Sequence, residues 1–255
     1  MALIQYSTKE GIASITLNRP EKRNALNFQM VSELREALKR AAQDKQVKVI
    51  ILKAAGKVFC AGVDLASMAQ LESFEAHLKD AHHLQELFYS IYTLKKVVIA
   101  QIEGHAVGGG CGLATVCDFS FTVPTAKFGY PEIKVGFVPA IVKVFLIRKI
   151  GEGKARMLLL TGDLIAAAQA VSDGLINYVV PAHQLEKSVN TFAQKLIKNN
   201  STQAMQLTKK MLAHLPAESL EKGLAYAVAM NTKARYTEDC SAGIAAFLHK
   251  KTTTW

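Results

Sequence analysis

The chain has 255 residues, half of them hydrophobic and a fifth charged, and a formal net charge of +10. That balance excludes a disordered chain, and the length suits one large core at the upper end of a single domain. The positive excess favours anionic partners (nucleic acid, a membrane surface or a phosphate-rich cofactor) without choosing among them.

The first residues, MALIQYSTKEG, turn polar too early for a secretory leader. Residues 4–6 and 12–17 are short β-type runs joined across Lys9-Glu10-Gly11, which predicts a hairpin. Residues 28–42 carry apolar side chains at helical spacing, with Asn27 placed as the N-cap. The β-branched run at 47–52 predicts a strand buried on both faces, the stretch 73–94 a long helix, and 97–102 a second buried strand. A glycine run follows, then an apolar helical segment and a strand at 119–123.

The second half predicts helices at 151–161, 166–173, 185–199, 202–214, 219–236 and 240–250, punctuated by Gly, Pro or Asn-Asn. The most apolar stretch, 135–147, is interrupted by Pro139 and Lys143 and falls short of a membrane span. Cys60, Cys111, Cys117 and Cys240 form no CxxC pair and no metal-ligand spacing with His. They read as reduced, mostly buried thiols in a cytoplasmic protein that holds no metal. Strands alternating with helices and then a helical tail predict an α/β core, 1–195, with a C-terminal helical segment, 196–255, that is no independent domain.

Three segments carry chemistry. In Phe59-Cys60-Ala61-Gly62-Val63-Asp64-Leu65 the small residues let a ligand approach the backbone, so that the Val63 N–H points at it. In Gly104-His105-Ala106-Val107-Gly108-Gly109-Gly110-Cys111-Gly112-Leu113 a strand enters glycines and a helix leaves them. The helix start offers unpaired N–H donors to an anion or a developing oxyanion. This run is neither a dinucleotide fingerprint nor a P-loop, and His105 within it reads as structural. In Phe128-Gly129-Tyr130-Pro131-Glu132-Ile133 a carboxylate follows a proline among apolar residues, where burial would raise its pKa toward a value fit for proton transfer. Taken singly, a capped turn, close helix–strand packing and an exposed helix-start glutamate account for these segments.

Their order and spacing together resemble the crotonase (enoyl-CoA hydratase/isomerase) superfamily: xAGxDL, then GxAxGGGxxLAxxCD, then AxFGxPEIxxGxxP. The likeness runs from Asn18-Arg19-Pro20 and Asn24-Ala25-Leu26, through the stretch 158–180, to Ala245-Ala246-Phe247-Leu248. It implies a spiral of ββα units with a C-terminal helical trimerisation segment, assembled as a homotrimer or a hexamer. It implies an acyl-CoA thioester substrate, with coenzyme A entering only as part of that substrate and no separate cofactor. The Val63 and Gly109 amides would form an oxyanion hole, and Glu132 would be the catalytic acid–base group. Ala61, Asp64 and Leu65 would line the acyl-CoA path, and Lys22, Arg23 and Lys250 would meet the CoA phosphates.

Family hydratases use two glutamates, and the position of the first is Gly112 in this sequence. Glu132 alone suffices for a Δ3–Δ2 enoyl-CoA isomerase and is minimal for a hydratase. The stretches CGLATVCDF and IKVGFVPAIVKVFLIRKIG pull toward the methylglutaconyl-CoA hydratase branch, which ties the chain to leucine degradation as well as fatty acid metabolism. His82, His83, Glu72 and Glu75 fall on the helix that shapes acyl pockets in the family. RNA binding is the non-enzymatic alternative, through Lys39, Arg40, Lys45, Lys48, Lys53 and Lys57, although no interleaved aromatics serve base stacking there.

Overall fold

The computed structural model describes residues 2–200, 202–214, 217–236 and 238–251. The chain opens on the expected hairpin, β1 (Ile4–Lys9) and β2 (Ile12–Leu17), turned at Glu10 and Gly11 in the left-handed region. Helix α1 (Phe28–Gln43) starts where Asn27 Oδ1 accepts from the Met30 N–H, and it buries Met30, Leu34, Leu38 and Ala41. From there the chain repeats one motif: a long strand, a short strand, then a helix.

The units are β3 (Val49–Ala54) and β4 (Val58–Cys60) with α2 (Leu65–Met68) and α3 (Phe74–Thr93); β5 (Val97–Ile102) and β6 (His105–Val107) with α4 (Gly109–Val116); and β7 (Phe119–Thr122) and β8 (Lys127–Gly129) with α5 (Ala140–Thr161). After these come β9 (Ile165–Ala166), α6 (Ala167–Ser172), β10 (Tyr178–Val179) and the helices α7 (Leu185–Asn199), α8 (Thr202–His214), α9 (Ala217–Arg235) and α10 (Glu238–Leu248). The long strands form one sheet in the order β1-β2-β3-β5-β7-β10, parallel after the first pair. The short strands form a second sheet, β4-β6-β8-β9, with only β9 antiparallel. Each turn of the spiral thus lays one strand on each sheet, and the loops leaving β4, β6 and β8 stack on one another. Those loops are the three chemistry-bearing segments.

β5 is buried at all six positions, Gln101 included, as a strand covered on both faces requires. Three expectations change. The apolar stretch after Pro139 is helical, so α5 begins at Ala140 rather than at Gly151, where the helix only kinks (φ 77°, ψ 163°). The strands of the second sheet are two or three residues long, too short to register as a periodicity, and none was expected from the sequence. β10, two residues at the edge of the large sheet, was likewise unforeseen.

Gly110 sits where α4 crosses the end of β4, and a Cβ there would land inside the Cys60 carbonyl. Gly153, in the second half of α5, has nothing within 4 Å of its missing Cβ. Gly110→Ala therefore lowers stability by about 1–3 kcal/mol or more through overpacking, whereas Gly153→Ala raises it by roughly 0.5–1 kcal/mol through helix propensity. Thermal unfolding of the two variants side by side checks the contrast.

Candidate active site

Glu132 stands second in a 3-10 turn, Pro131–Val135, started by its proline and closed by Gly136 in the left-handed region (φ 69°). The Phe137 N–H also returns to the Glu132 carbonyl at 3.0 Å, which fixes the turn. The carboxylate folds back onto the glycine run. A Cβ on Gly108, whose φ is +55°, would lie 3.0 Å from Glu132 Oε1. Glu132 as a residue is half-buried, but its Oε2 is fully buried and has no hydrogen-bond partner among the described residues. Desolvation accordingly pushes its pKa up to about 7.

The two backbone donors share one cavity with this carboxylate for local reasons. Leu26 bridges the segment around Val63: its N–H donates to the Gly62 carbonyl (2.7 Å) and its carbonyl accepts from the Asp64 N–H (2.9 Å). Strand alternation then turns the Val63 N–H the other way. That N–H donates to no backbone carbonyl among the described residues. Gly109 is the first residue of α4, where the amide has no partner inside the helix. Gly62 brings the two loops together: at φ +91° its missing Cβ would be 2.9 Å from the Val107 carbonyl oxygen and 3.2 Å from the Gly109 nitrogen.

Val63, Gly109, Glu132, Ala61 and Leu65 line one cavity of about 690 Å³. Glu132 is its only carboxylate among the described residues, and Arg23, His105, Lys134 and Lys251 also reach it. Such a cavity has the parts to hold an electrophilic carbonyl beside two amides and to move a proton with one carboxylate of near-neutral pKa.

Other expected residues lie elsewhere. Asp64 does not line this cavity: its carboxylate binds Arg19 Nη1 at 2.6 Å and caps α2 through the Ala66 and Ser67 N–H groups. Burial raises the Asp64 pKa, but the Arg19 and Ser67 hydrogen bonds outweigh it and hold the carboxyl below its usual range. Lys22 ends a 3-10 turn (Pro20–Lys22) outside the lining, beside Arg23, which is in it. Lys250 adopts a left-handed turn after α10, and its neighbour Lys251 lines the cavity.

His105 accepts the Lys127 N–H at Nδ1 (3.1 Å), and Lys134 is paired with Asp163 (2.8 Å). His83 is held between Ser32 and Arg35 and stacks on Phe28. The basic stretch is divided: Arg40 lies over the Tyr6 ring, while Lys39 and Lys53 line separate clefts. All four cysteines are free and buried, and burial pushes the Cys60, Cys111 and Cys117 thiols up to about 12. No cluster of metal-ligating side chains occurs among the described residues, and no helix there is long and apolar enough to cross a membrane.

Sequence reasoning missed the contributions of Leu26 as backbone clamp and of α10 as a wall, through Gly243 and Phe247. Gly243 was the available signal for the second: a Cβ there would collide with the Val135 carbonyl.

The spiral fold and this site define a protein of the crotonase superfamily. Residues 7–255 match the family described as enoyl-CoA hydratase/isomerase, and the chain belongs to that family. It is 38% identical over 245 residues to a protein of Thermus thermophilus named putative enoyl-CoA hydratase, covering 95% of this chain and 96% of that one. It is 34% identical over 253 residues to the 2,3-dehydroadipyl-CoA hydratase of Escherichia coli, covering 99% and 98%. A crystal structure of an enoyl-CoA hydratase/isomerase from Xanthobacter autotrophicus superposes with a TM-score of 0.90 at 30% identity, covering 97% and 93%. The chain is thus an enzyme of the hydratase/isomerase family.

The unpaired carboxylate has a stability signature. The Glu132 pKa is higher in the folded state than in the unfolded chain, so the unfolded state releases its proton first as pH rises. Stability falls from about the ordinary glutamate pKa up to about pH 7, and the full cost, about 3 kcal/mol, is present above that. Glu132→Gln removes the cost: urea unfolding at pH 8 finds the variant more stable than the parent, and at pH 4 the difference vanishes.

Proposed function

We propose that the enzyme adds water across the double bond of a 2-enoyl-CoA thioester, with Glu132 serving as both base and acid. The observation that carries this reading is the pairing of two free amides with a single desolvated carboxylate whose pKa lies near 7. The Glu132 carboxylate takes a proton from water as the water oxygen bonds to C3. The π electrons move toward C2 and the thioester carbonyl, whose oxygen gains charge between the Val63 and Gly109 N–H groups. Each such donor contributes on the order of 3–4 kcal/mol to the transition state. Collapse of the enolate draws the proton from Glu132 to C2, which regenerates the carboxylate and balances the addition.

The place of a second glutamate is closed. A Cβ at Gly112 would meet Val142 Cγ1 at 2.5 Å and the tip of the Phe88 ring at 3.2 Å. The position is therefore packed rather than vacant. The same single carboxylate supports a second reading, Δ3–Δ2 isomerisation, in which Glu132 takes a proton from C2 of a 3-enoyl thioester and returns it to C4. The names of the relatives favour hydration.

For the substrate we favour an enoyl group that carries its own carboxylate, as in 3-methylglutaconyl-CoA, on the strength of the sequence stretches around Gly112 and Glu132. The helical segment 196–255 as a trimerisation element, and a trimer or hexamer, belong to the same reading.

Glu132→Gln lowers kcat on the order of 100-fold or more for either reaction. In the parent, kcat/KM rises with pH through about 7 and then levels, because water attack needs the ionised form. Crotonyl-CoA, 3-methylglutaconyl-CoA and a 3-enoyl-CoA, each followed for water addition and for double-bond migration, separate the readings. Migration without hydration would sink the one preferred here.

Gly112→Glu alone loses roughly 1–3 kcal/mol of stability against Val142 and Phe88 and gains no hydratase activity. Gly112→Glu combined with Val142→Ala recovers the fold and raises crotonyl-CoA hydration about tenfold by adding a second base. Thermal unfolding and initial rates on both variants check this.

A further inference from the structure

Between β4 and α2 the backbone amides of Ala61, Gly62, Val63 and Asp64 follow one another, and the fold engages all but one. The Ala61 N–H donates to the Arg23 carbonyl (3.0 Å) and the Asp64 N–H to the Leu26 carbonyl (2.9 Å), while the Gly62 N–H is turned to the buried Cys60 thiol. Among the described residues only the Val63 N–H is left for the cavity. Register decides which amide that is. A slip of one residue against the segment 23–26 would offer the cavity a different donor.

The loop 19–26 sets this register under strain. Arg23 and Asn24 are consecutive left-handed residues (φ 52° and 54°), a conformation that residues with a Cβ resist unless their surroundings impose it. Asn24 is wholly buried and held from both sides. Its Oδ1 accepts the Arg19 N–H (2.8 Å), and its Nδ2 donates to the Ala55 and Val58 carbonyls (2.9 and 2.8 Å) at the two ends of the β3–β4 turn. Arg19 then closes the loop: its Nη1 donates to Asp64 Oδ2 (2.6 Å) and to the Ala25 carbonyl (3.1 Å). One nitrogen thereby ties the residue before Leu26 to the residue after Val63, across the bridge that joins those two. The Arg19 and Asp64 side chains are only 13% and 10% exposed, so water competes little for the pair. Asp64 keeps its two oxygens separate, Oδ1 capping α2 and Oδ2 taking the arginine.

We propose that Arg19 and Asp64 are positioning residues for the reaction: their ion pair locks the register that leaves the Val63 N–H free and aims it at the thioester oxygen. Neither side chain touches the substrate. The assignment rests on the thioester reading of the cavity, but it concerns the strength of one hydrogen bond and is measurable without turnover.

Butyryl-CoA has no double bond to hydrate, and isotope labelling of its thioester carbonyl isolates that bond in an infrared difference spectrum. In the full-length parent the carbonyl band moves to lower frequency on binding. Arg19→Met cuts that movement to about half and lowers kcat for crotonyl-CoA on the order of tenfold, while the Kd for butyryl-CoA changes less than about threefold. Asp64→Asn does the same, with the cap on α2 retained by the asparagine oxygen. Arg19→Lys, which keeps a cation and a donor, recovers most of the band shift. In every variant kcat/KM still turns at about pH 7, since Glu132 is untouched. If Arg19→Met does not fold, Asp64→Asn decides.

A folded Asp64→Asn protein with the carbonyl shift of the parent overturns the proposal, whatever its affinity, and leaves the hydratase reading standing. A parent that shifts the carbonyl and loses the shift in the variants, yet hydrates no enoyl thioester, overturns the hydratase reading and supports this one. A parent that binds butyryl-CoA with no shift sinks the oxyanion hole and this assignment with it.

Discussion

Two backbone loops approach so closely that no side chain fits between them, and the placement of the Val63 and Gly109 amides in one cavity with Glu132 follows from that approach. Gly62 lies against the Val107 carbonyl and the Gly109 nitrogen, and Gly110 against the Cys60 carbonyl. A methyl group at either position would push the loops apart. The Val63 and Gly109 amides would then no longer lie side by side in one cavity, and distance decides the strength of a preorganised dipole. The parallel pairing of β4 with β6 and of β6 with β8 holds the loops in register, so the small sheet acts as the frame of the site.

Electrostatics sharpen this picture by contrast. Elsewhere the fold matches its buried or partly buried charges: Asp64 with Arg19, Asp118 with Lys209 at 2.6 Å, and Lys149 with the Thr115 and Cys117 carbonyls that end α4. Glu132 alone among the described carboxylates combines a buried, unpartnered oxygen with a raised pKa. Gly108, having no side chain, lets the carboxylate rest on bare backbone that offers it no counter-charge. The same lack of solvation that makes the ionised form costly keeps its proton exchangeable near neutrality.

Long periodic elements were legible in the sequence because periodicity is a property of many residues at once. α3 with its Ser73 cap, β5 and α7 fall where apolar spacing puts them. Strands of two or three residues carry no period, so the second sheet was invisible even though its loops were conspicuous. At the site, the glycine runs and Glu132 could be read because unusual backbone leaves a compositional trace. Asp64 could be read only in part: its cap on α2 was offered by the turn itself, but an aspartate after Gly62 and Val63 looks the same whether it also faces a ligand or an arginine 45 positions away in the chain. The blocked space at Gly112 depends on Val142, a residue brought there by a helix whose true start lay hidden behind Pro139. Arg23 and Lys251 line the cavity where Lys22 and Lys250, their neighbours in the chain, do not, since a left-handed turn redirects a side chain in a way that counting along the chain cannot follow.

α10 crosses the turn that bears Glu132 so tightly that Gly243 rests on the Val135 carbonyl, and Phe247 and Lys251 complete the cavity wall. During synthesis Glu132 and the residues of both amides emerge more than a hundred residues before that wall. A nascent chain whose sheets have already formed therefore carries a cleft short of one wall, and the cavity takes its final shape only when α10 docks.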